Sequence, residues 1–231
     1  MPMQTGIVYH QKVVLVENIS RYVRDIEADS LLDIGAGSLE TALPLSSKVL
    51  RYDAIEQDPI NAARLKNAGL NVIQGTFPFS VNGTYDLVLS SHSVPENSIE
   101  SYLPFLSSAW DLTSPKGMML VVTFKGSVGD FATIRHELLG RSPQRCEELE
   151  TIVDFYENSG GVMEIERINS FVEAARSEDI VSFLAPWLSA DQNMRESIHL
   201  PFVRIIETRY KIRQDLFAFP TQHLFLSCRK E

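Results

Sequence analysis

Cysteine is scarce. The 231 residues contain two, Cys146 and Cys228, and neither stands in a metal-ligand spacing, so neither a disulfide framework nor a thiolate metal site is expected. Both read as ordinary thiols of a packed interior. No cluster of other ligand types suggests a metal. Long apolar runs are also missing: none approaches the roughly 18 residues that span a bilayer. Met1 to Gly6 shows no basic segment followed by an apolar block, so a cytoplasmic protein with no membrane partner is expected. Positive charge is in deficit, with 21 Lys and Arg against 30 Asp and Glu, a net charge of −9. That balance argues against nucleic acid as a partner, which would want a basic face. The local series Arg204, Arg209, Lys211 and Arg213 reads as a solvated surface near a helix end. Repeats, low-complexity tracts and linkers are absent, and one domain over residues 1–231 is expected around a single core.

One stretch is unusually informative, Leu31-Leu32-Asp33-Ile34-Gly35-Ala36-Gly37-Ser38-Leu39-Glu40. A short apolar run holding one acid leads into two glycines and then a helix-forming segment. This reads as a buried strand, a tight turn and a helix start. Gly35 and Gly37 accept positive φ and let a ligand approach bare backbone. A dinucleotide fingerprint would place a third glycine where Glu40 stands. Two carboxylates, Asp33 and Glu40, would repel a pyrophosphate. S-adenosylmethionine, with a sulfonium, an ammonium and no phosphate, would tolerate them.

The next strand, Val49 to Ile55, ends in Glu56, roughly 20 residues past the glycines, where an acid can accept bonds from both ribose hydroxyls. The pair Asp33-x-Gly35-x-Gly37 and Glu56 resembles the cofactor site of the class I S-adenosylmethionine-dependent methyltransferases. The resemblance covers roughly Val13 to Phe124 well and the remainder in outline. It implies an α/β fold: a seven-stranded, mostly parallel sheet with helices on both faces and an antiparallel last strand. It also implies a helical N-terminal segment over residues 1–28 and a helical cap over about 179–210. The implied cofactor is S-adenosylmethionine, with S-adenosylhomocysteine as product. Its implied contacts are Asp33, Gly35, Ala36, Gly37, Glu56, Gln57, Gly75, Thr76, Phe77, Ser90 and Ser91. Many members of the family place an acid where Thr76 stands, to receive the adenine amine. Phe77 could stack on the base. Tyr9-His10 lies where such enzymes fold a segment over the ligand.

Further elements follow from pattern. The segment from Gln11 to Glu27 reads as an amphipathic helix, and Pro44 shortens or breaks the helix after the glycine turn. Asp58-Pro59 opens a helix that Gly69 ends. Val72-Ile73 and Tyr85 to Ser90 are strands. Ile99 to Leu112 has helical spacing, and Pro115-Lys116-Gly117 is a turn before a strand over Met118 to Phe124. Beyond that, helices are expected over Phe131 to Leu139 and Pro143 to Glu157, and a strand from Val162 to Val172. Helices follow over Asp179 to Leu188 and Asn193 to Tyr210, then a last strand from Gln222 to Arg229.

Methyl transfer is an in-line displacement, so alignment and exclusion of water dominate. A protonated acceptor also needs a general base. His92, directly after the fourth strand, is the first candidate, since an unperturbed imidazole titrates in the useful range. His136 is the second. The expected reaction is transfer to oxygen or nitrogen of a small molecule. Alternatives are methylation of protein or RNA, and a catalytically silent cofactor-binding partner subunit. Monomer and homodimer both stay open.

Overall fold

The computed structural model describes residues 7–8, 10–79, 81–94, 101–124, 130–140, 147–189 and 191–231. Tyr9, Cys146 and the side chain of His10 lie outside the described residues, and with them the expected covering segment. The described residues fall into two compact units. The larger lies within residues 12–125, 146–167 and 224–231, the smaller within 1–11, 126–145 and 168–223.

The larger unit follows the alternation of strand and helix read from the sequence. Helix α1 (His10–Asp25) buries Leu15, Ile19, Tyr22 and Val23, the residues at helical spacing. Strands β2 (Ser30–Ile34), β3 (Arg51–Glu56) and β4 (Asn71–Gln74) run parallel, separated by α2 (Leu39–Ser46) and α3 (Pro59–Asn67). On the other side of β2 lies β5 (Tyr85–Ser91), then β6 (Thr113–Thr123), both parallel to it, with α4 (Tyr102–Asp111) between them in sequence. The later strands are β7 (Val162–Ala174) and β9 (Leu216–Arg229), each divided between the units. The order is β4–β3–β2–β5–β6–β9–β7, and β9 pairs antiparallel with β6 from Thr123↔Leu224 to Met118↔Arg229. This is the expected mostly parallel α/β sheet with an antiparallel final strand. Its inner strands read as apolar runs because both faces are covered. Leu32, Ile34, Val88, Met119, Val121 and Leu226 form the core with Phe105 of α4 and Tyr156 of α6 (Glu147–Asn158). The chain leaves β2 toward β3 on one side and later returns to β5 on the other. That reversal opens a crevice beyond the carboxyl ends of β2 and β5.

One boundary differs. A turn at Pro115-Lys116-Gly117 was expected before the fifth strand, yet β6 already begins at Thr113, which pairs with Tyr85. The turn is absorbed as an irregularity: Lys116 sits at φ 65°, and the register shifts between Tyr85 and Leu87. Asp86 fixes this end of the sheet, accepting from the amides of Asp29 and Ser30 and from the hydroxyls of Ser30 and Ser114. Burial works to raise its pKa, but these bonds outweigh it and hold the carboxyl below its ordinary range. Pro44 lies inside α2 without ending it; the helix is eight residues long.

In the smaller unit, β1 (Ile7–Val8) pairs antiparallel with β7, and β8 (Lys211–Arg213) with β9. Helices α5 (Asp130–Leu139), α7 (Ser177–Leu188) and α8 (Gln192–Arg209) share an apolar cluster that includes Ile134, Ile180, Leu184, Ile198, Phe202 and Phe219. The helices expected over Asp179 to Leu188 and Asn193 to Tyr210 are present as α7 and α8. Asp191 starts α8 by accepting from the amide of Asn193 at 2.9 Å, and the helix continues through Pro201. Among the described residues no helix is long and apolar enough to cross a membrane.

Candidate functional site

The glycine turn after β2 is built as its sequence demands. Gly35 and Gly37 have φ of 74° and 61°, a region that side chains disfavour. The amides of Gly35 and Ala36 both donate to the Ile55 carbonyl, at 2.8 and 3.2 Å, tying the turn to the end of β3. Gly35 has a second reason to be glycine. A Cβ there would lie 2.3 Å from the Cβ of Ser93. Ser93 is itself fixed, its hydroxyl donating to the Ile34 carbonyl and lying 3.0 Å from the hydroxyl of Ser90.

At the tip of β3, Glu56 is nearly buried, 5% exposed. Its Oε2 accepts from the Gly37 amide at 2.7 Å and its Oε1 from the Asp58 amide at 2.7 Å. The Glu56 carbonyl accepts from the Gly75 amide at 3.0 Å. One residue therefore joins the turn after β2, the start of α3 and the loop after β4.

These pieces surround a cavity of about 550 Å³, within the range of small-molecule sites. Gly35, Gly37, Glu56, Gln57, Gly75, Thr76, Phe77 and His92 line it, so these sequence-chosen residues are gathered in one place. Phe77 is buried and meets the Phe105 ring edge-on at 5.2 Å. The wall also includes Asp58, Asn61, Ser93, Val94 and Phe105, which sequence reasoning did not select. A signal was there for two of them: Asp58-Pro59 marks a helix start, and its first turn points at the strand tips.

The remaining candidates are not among the residues that line the cavity. Asp33 is absent from the wall. It is buried and accepts from the Tyr52 hydroxyl at 2.7 Å. Burial pushes its pKa up to about 6; the Tyr52 bond opposes the rise and the charge of Glu56 adds to it. Ala36 is buried and Ser90 is committed to Ser93. Ser91 pairs with Val122 in the sheet. Glu40, expected beside the ligand, instead forms an ion pair with Lys12 at 3.1 Å. His136 is exposed on α5, two residues from Ile134, the position that α5 buries. Two residues on a helix point to nearly opposite sides, which explains its outward placement.

His92, the first candidate base, does reach the cavity. Its amide donates to the Val122 carbonyl at 2.8 Å, its φ is 57°, and its ring stacks on Phe124 at 4.3 Å. Burial of the ring pushes its pKa down to about 3. The ring is therefore neutral at ordinary pH and a poor proton acceptor. Among the described residues no group of three or more His, Cys, Asp or Glu could hold a metal ion.

No protein-family profile matches the chain, and no curated protein matches it in sequence. Solved structures do match. Precorrin-6y C5,15-methyltransferase from Geobacter metallireducens is similar with a TM-score of 0.56 at 14% identity, over 97% of this chain and 90% of that one. The YcgJ protein from Bacillus subtilis gives 0.57 at 15% identity, over 93% and 98%. The plantazolicin methyltransferase BpumL, solved with a pentazolic desmethylPZN analog and S-adenosylhomocysteine, gives 0.54 at 14% identity, over 97% and 86%. At such identities the likeness is one of fold. The chain has the α/β fold of the class I S-adenosylmethionine-dependent methyltransferases.

Proposed function

We propose that the protein transfers the methyl group of S-adenosylmethionine to an oxygen or nitrogen of a small-molecule acceptor. The observation that carries this reading is the Glu56 carboxylate, nearly buried on the cavity wall beside the Gly35–Gly37 turn. Each of its oxygens accepts one backbone amide and keeps a further lone-pair direction. It can therefore receive ribose hydroxyls while the amides hold it still. A diphosphate would meet this carboxylate and that of Asp58, with no Lys or Arg among the described lining residues. A nucleoside bearing positive charge meets no such repulsion. Phe77 and Phe105 give the base an apolar wall, and Gly37, where no side chain fills the Cβ position, lets a ligand approach bare backbone.

S-adenosylmethionine, when bound, supplies a methyl group already activated by its sulfonium. What the chain adds is binding, alignment and exclusion of water, and alignment alone can contribute roughly 7–11 kcal/mol. His92 acts here as a neutral wall group, so the acceptor brings a nucleophile that needs no strong base. The BpumL complex with a desmethyl analog supports a small molecule as acceptor, and the net charge of −9 weighs against RNA. The depressed basicity of His92 also favours one second reading, a cofactor-binding partner subunit without turnover. Calorimetric titration with S-adenosylhomocysteine and with NAD tests the ligand class. Heat with the first and none with the second is expected. The reverse result would overturn the reading.

A further inference from the structure

Helix α3 presents one side chain to the cavity with no other task. Asp58 caps this helix, accepting from the amides of Ile60 and Asn61 at 2.7 and 3.3 Å, and Pro59 pre-sets its first turn. Asn61 stands four residues before the fully buried Leu65, so both lie on the sheet-facing side, with Asn61 toward the strand tips. It lines the cavity and is half-buried. Other polar groups on that wall are engaged: Glu56 by two amides, Asp58 by its cap, Ser93 by Ile34 and Ser90. Gln57 and Thr76 are exposed. The carboxamide of Asn61 has no hydrogen-bond partner among the described residues.

A carboxamide offers an acceptor and a donor side by side. That pattern matches the exocyclic amine and adjacent ring nitrogen of adenine. Being neutral, it also adds no third negative charge beside Glu56 and Asp58. A helix turn, moreover, holds a contact group more firmly than a loop does. We propose that Asn61 reads the base of the bound nucleoside: its side-chain oxygen accepts from the amine and its NH2 donates to the ring nitrogen. This rests on the nucleoside reading of the cavity.

The test is calorimetry with two probes, S-adenosylhomocysteine and its analogue lacking the 6-amino group. The parent protein is expected to prefer the amine-bearing probe by about tenfold, as for one good hydrogen bond to a half-buried group. Asn61→Ala should bring the two affinities within about twofold of each other. Asn61→Asp, which keeps the accepting oxygen, should retain the preference. A preference that survives in Asn61→Ala, or none in the parent, overturns the role of Asn61 alone. Binding of neither probe by the parent overturns the nucleoside reading as well.

Discussion

Gly37 donates its backbone amide to Glu56 at 2.7 Å, so the turn after β2 is braced by the carboxylate proposed to hold the ribose. The bond runs between the tips of two neighbouring strands, and the Asp58 amide completes it from the third side. Glu56→Ala removes both the ligand's acceptor and the brace. A loss of roughly 1–3 kcal/mol in binding of S-adenosylhomocysteine is expected, the usual cost of hydrogen bonds to a charged group, together with a lower melting temperature. Glu56→Gln keeps one accepting oxygen and should lose less of each. Calorimetry and thermal melts measure the two effects separately. Unchanged affinity in Glu56→Ala would place the ribose elsewhere.

Gly35 and Ser93 make a second pair whose coupling is measurable. Gly35→Ala meets two obstacles: a φ of 74° and a Cβ that would lie 2.3 Å from the Cβ of Ser93. The first costs roughly 1–2 kcal/mol and the second about 1–3 kcal/mol of overpacking. Ser93→Gly removes only the second. In a double-mutant cycle read by urea unfolding, Gly35→Ala should be less damaging in the Ser93→Gly background than in the parent. Strict additivity would show that the loop holding Ser93 moves aside without cost.

The sequence made the inner strands legible because they are buried on both faces, which turns Leu31–Ile34 and Leu87–Leu89 into apolar runs. Helices α7 and α8 were legible from their periodicity. Strands β1 and β8 were not, having two and three residues, too few for an alternation to show. The glycine turn was readable because only glycine suits its dihedrals. The fate of Asp33 was not. Leu32 and Ile34 point into the core, so Asp33 faces the other side, where Leu31 lies opposite Tyr52. That Tyr52 can reach Asp33 emerges only once strand register is fixed. The lowered basicity of His92 was not legible either, because it comes from burial of the ring. Phe124, on which that ring stacks, lies more than thirty positions away in the chain.

Asp33 should leave a signature in the pH dependence of stability. Its folded pKa of about 6 lies above the ordinary carboxyl value near 4. Between those values the folded state binds more protons than the unfolded chain. The contribution of Asp33 is fully present below about pH 4 and is lost as pH rises through 6. Asn at this position does not ionise and still offers Tyr52 an oxygen. Relative to the parent, Asp33→Asn should therefore gain about 2–3 kcal/mol between pH 4 and pH 7. Urea unfolding at pH 4.5, 6 and 7.5 measures it. Parallel curves for the two proteins would mean that Asp33 ionises normally.

His92 should act in the opposite sense over a wider range. Its folded pKa of about 3 lies below the unfolded value near 6.5. Its contribution is present above pH 6.5 and is lost as pH falls toward 3, because only the unfolded chain takes up the proton easily. By pH 5 the parent should lose roughly 2 kcal/mol relative to His92→Asn, at about 1.4 kcal/mol per pH unit. Asn is suited to the test because it tolerates the positive φ at this position. The same low basicity predicts that the rate of methyl transfer shows no ionisation near pH 6.5, and that His92→Asn stays within a few-fold of the parent rate. A rate falling with an apparent pKa near 6.5 in the parent, and not in the variant, would restore His92 as the base.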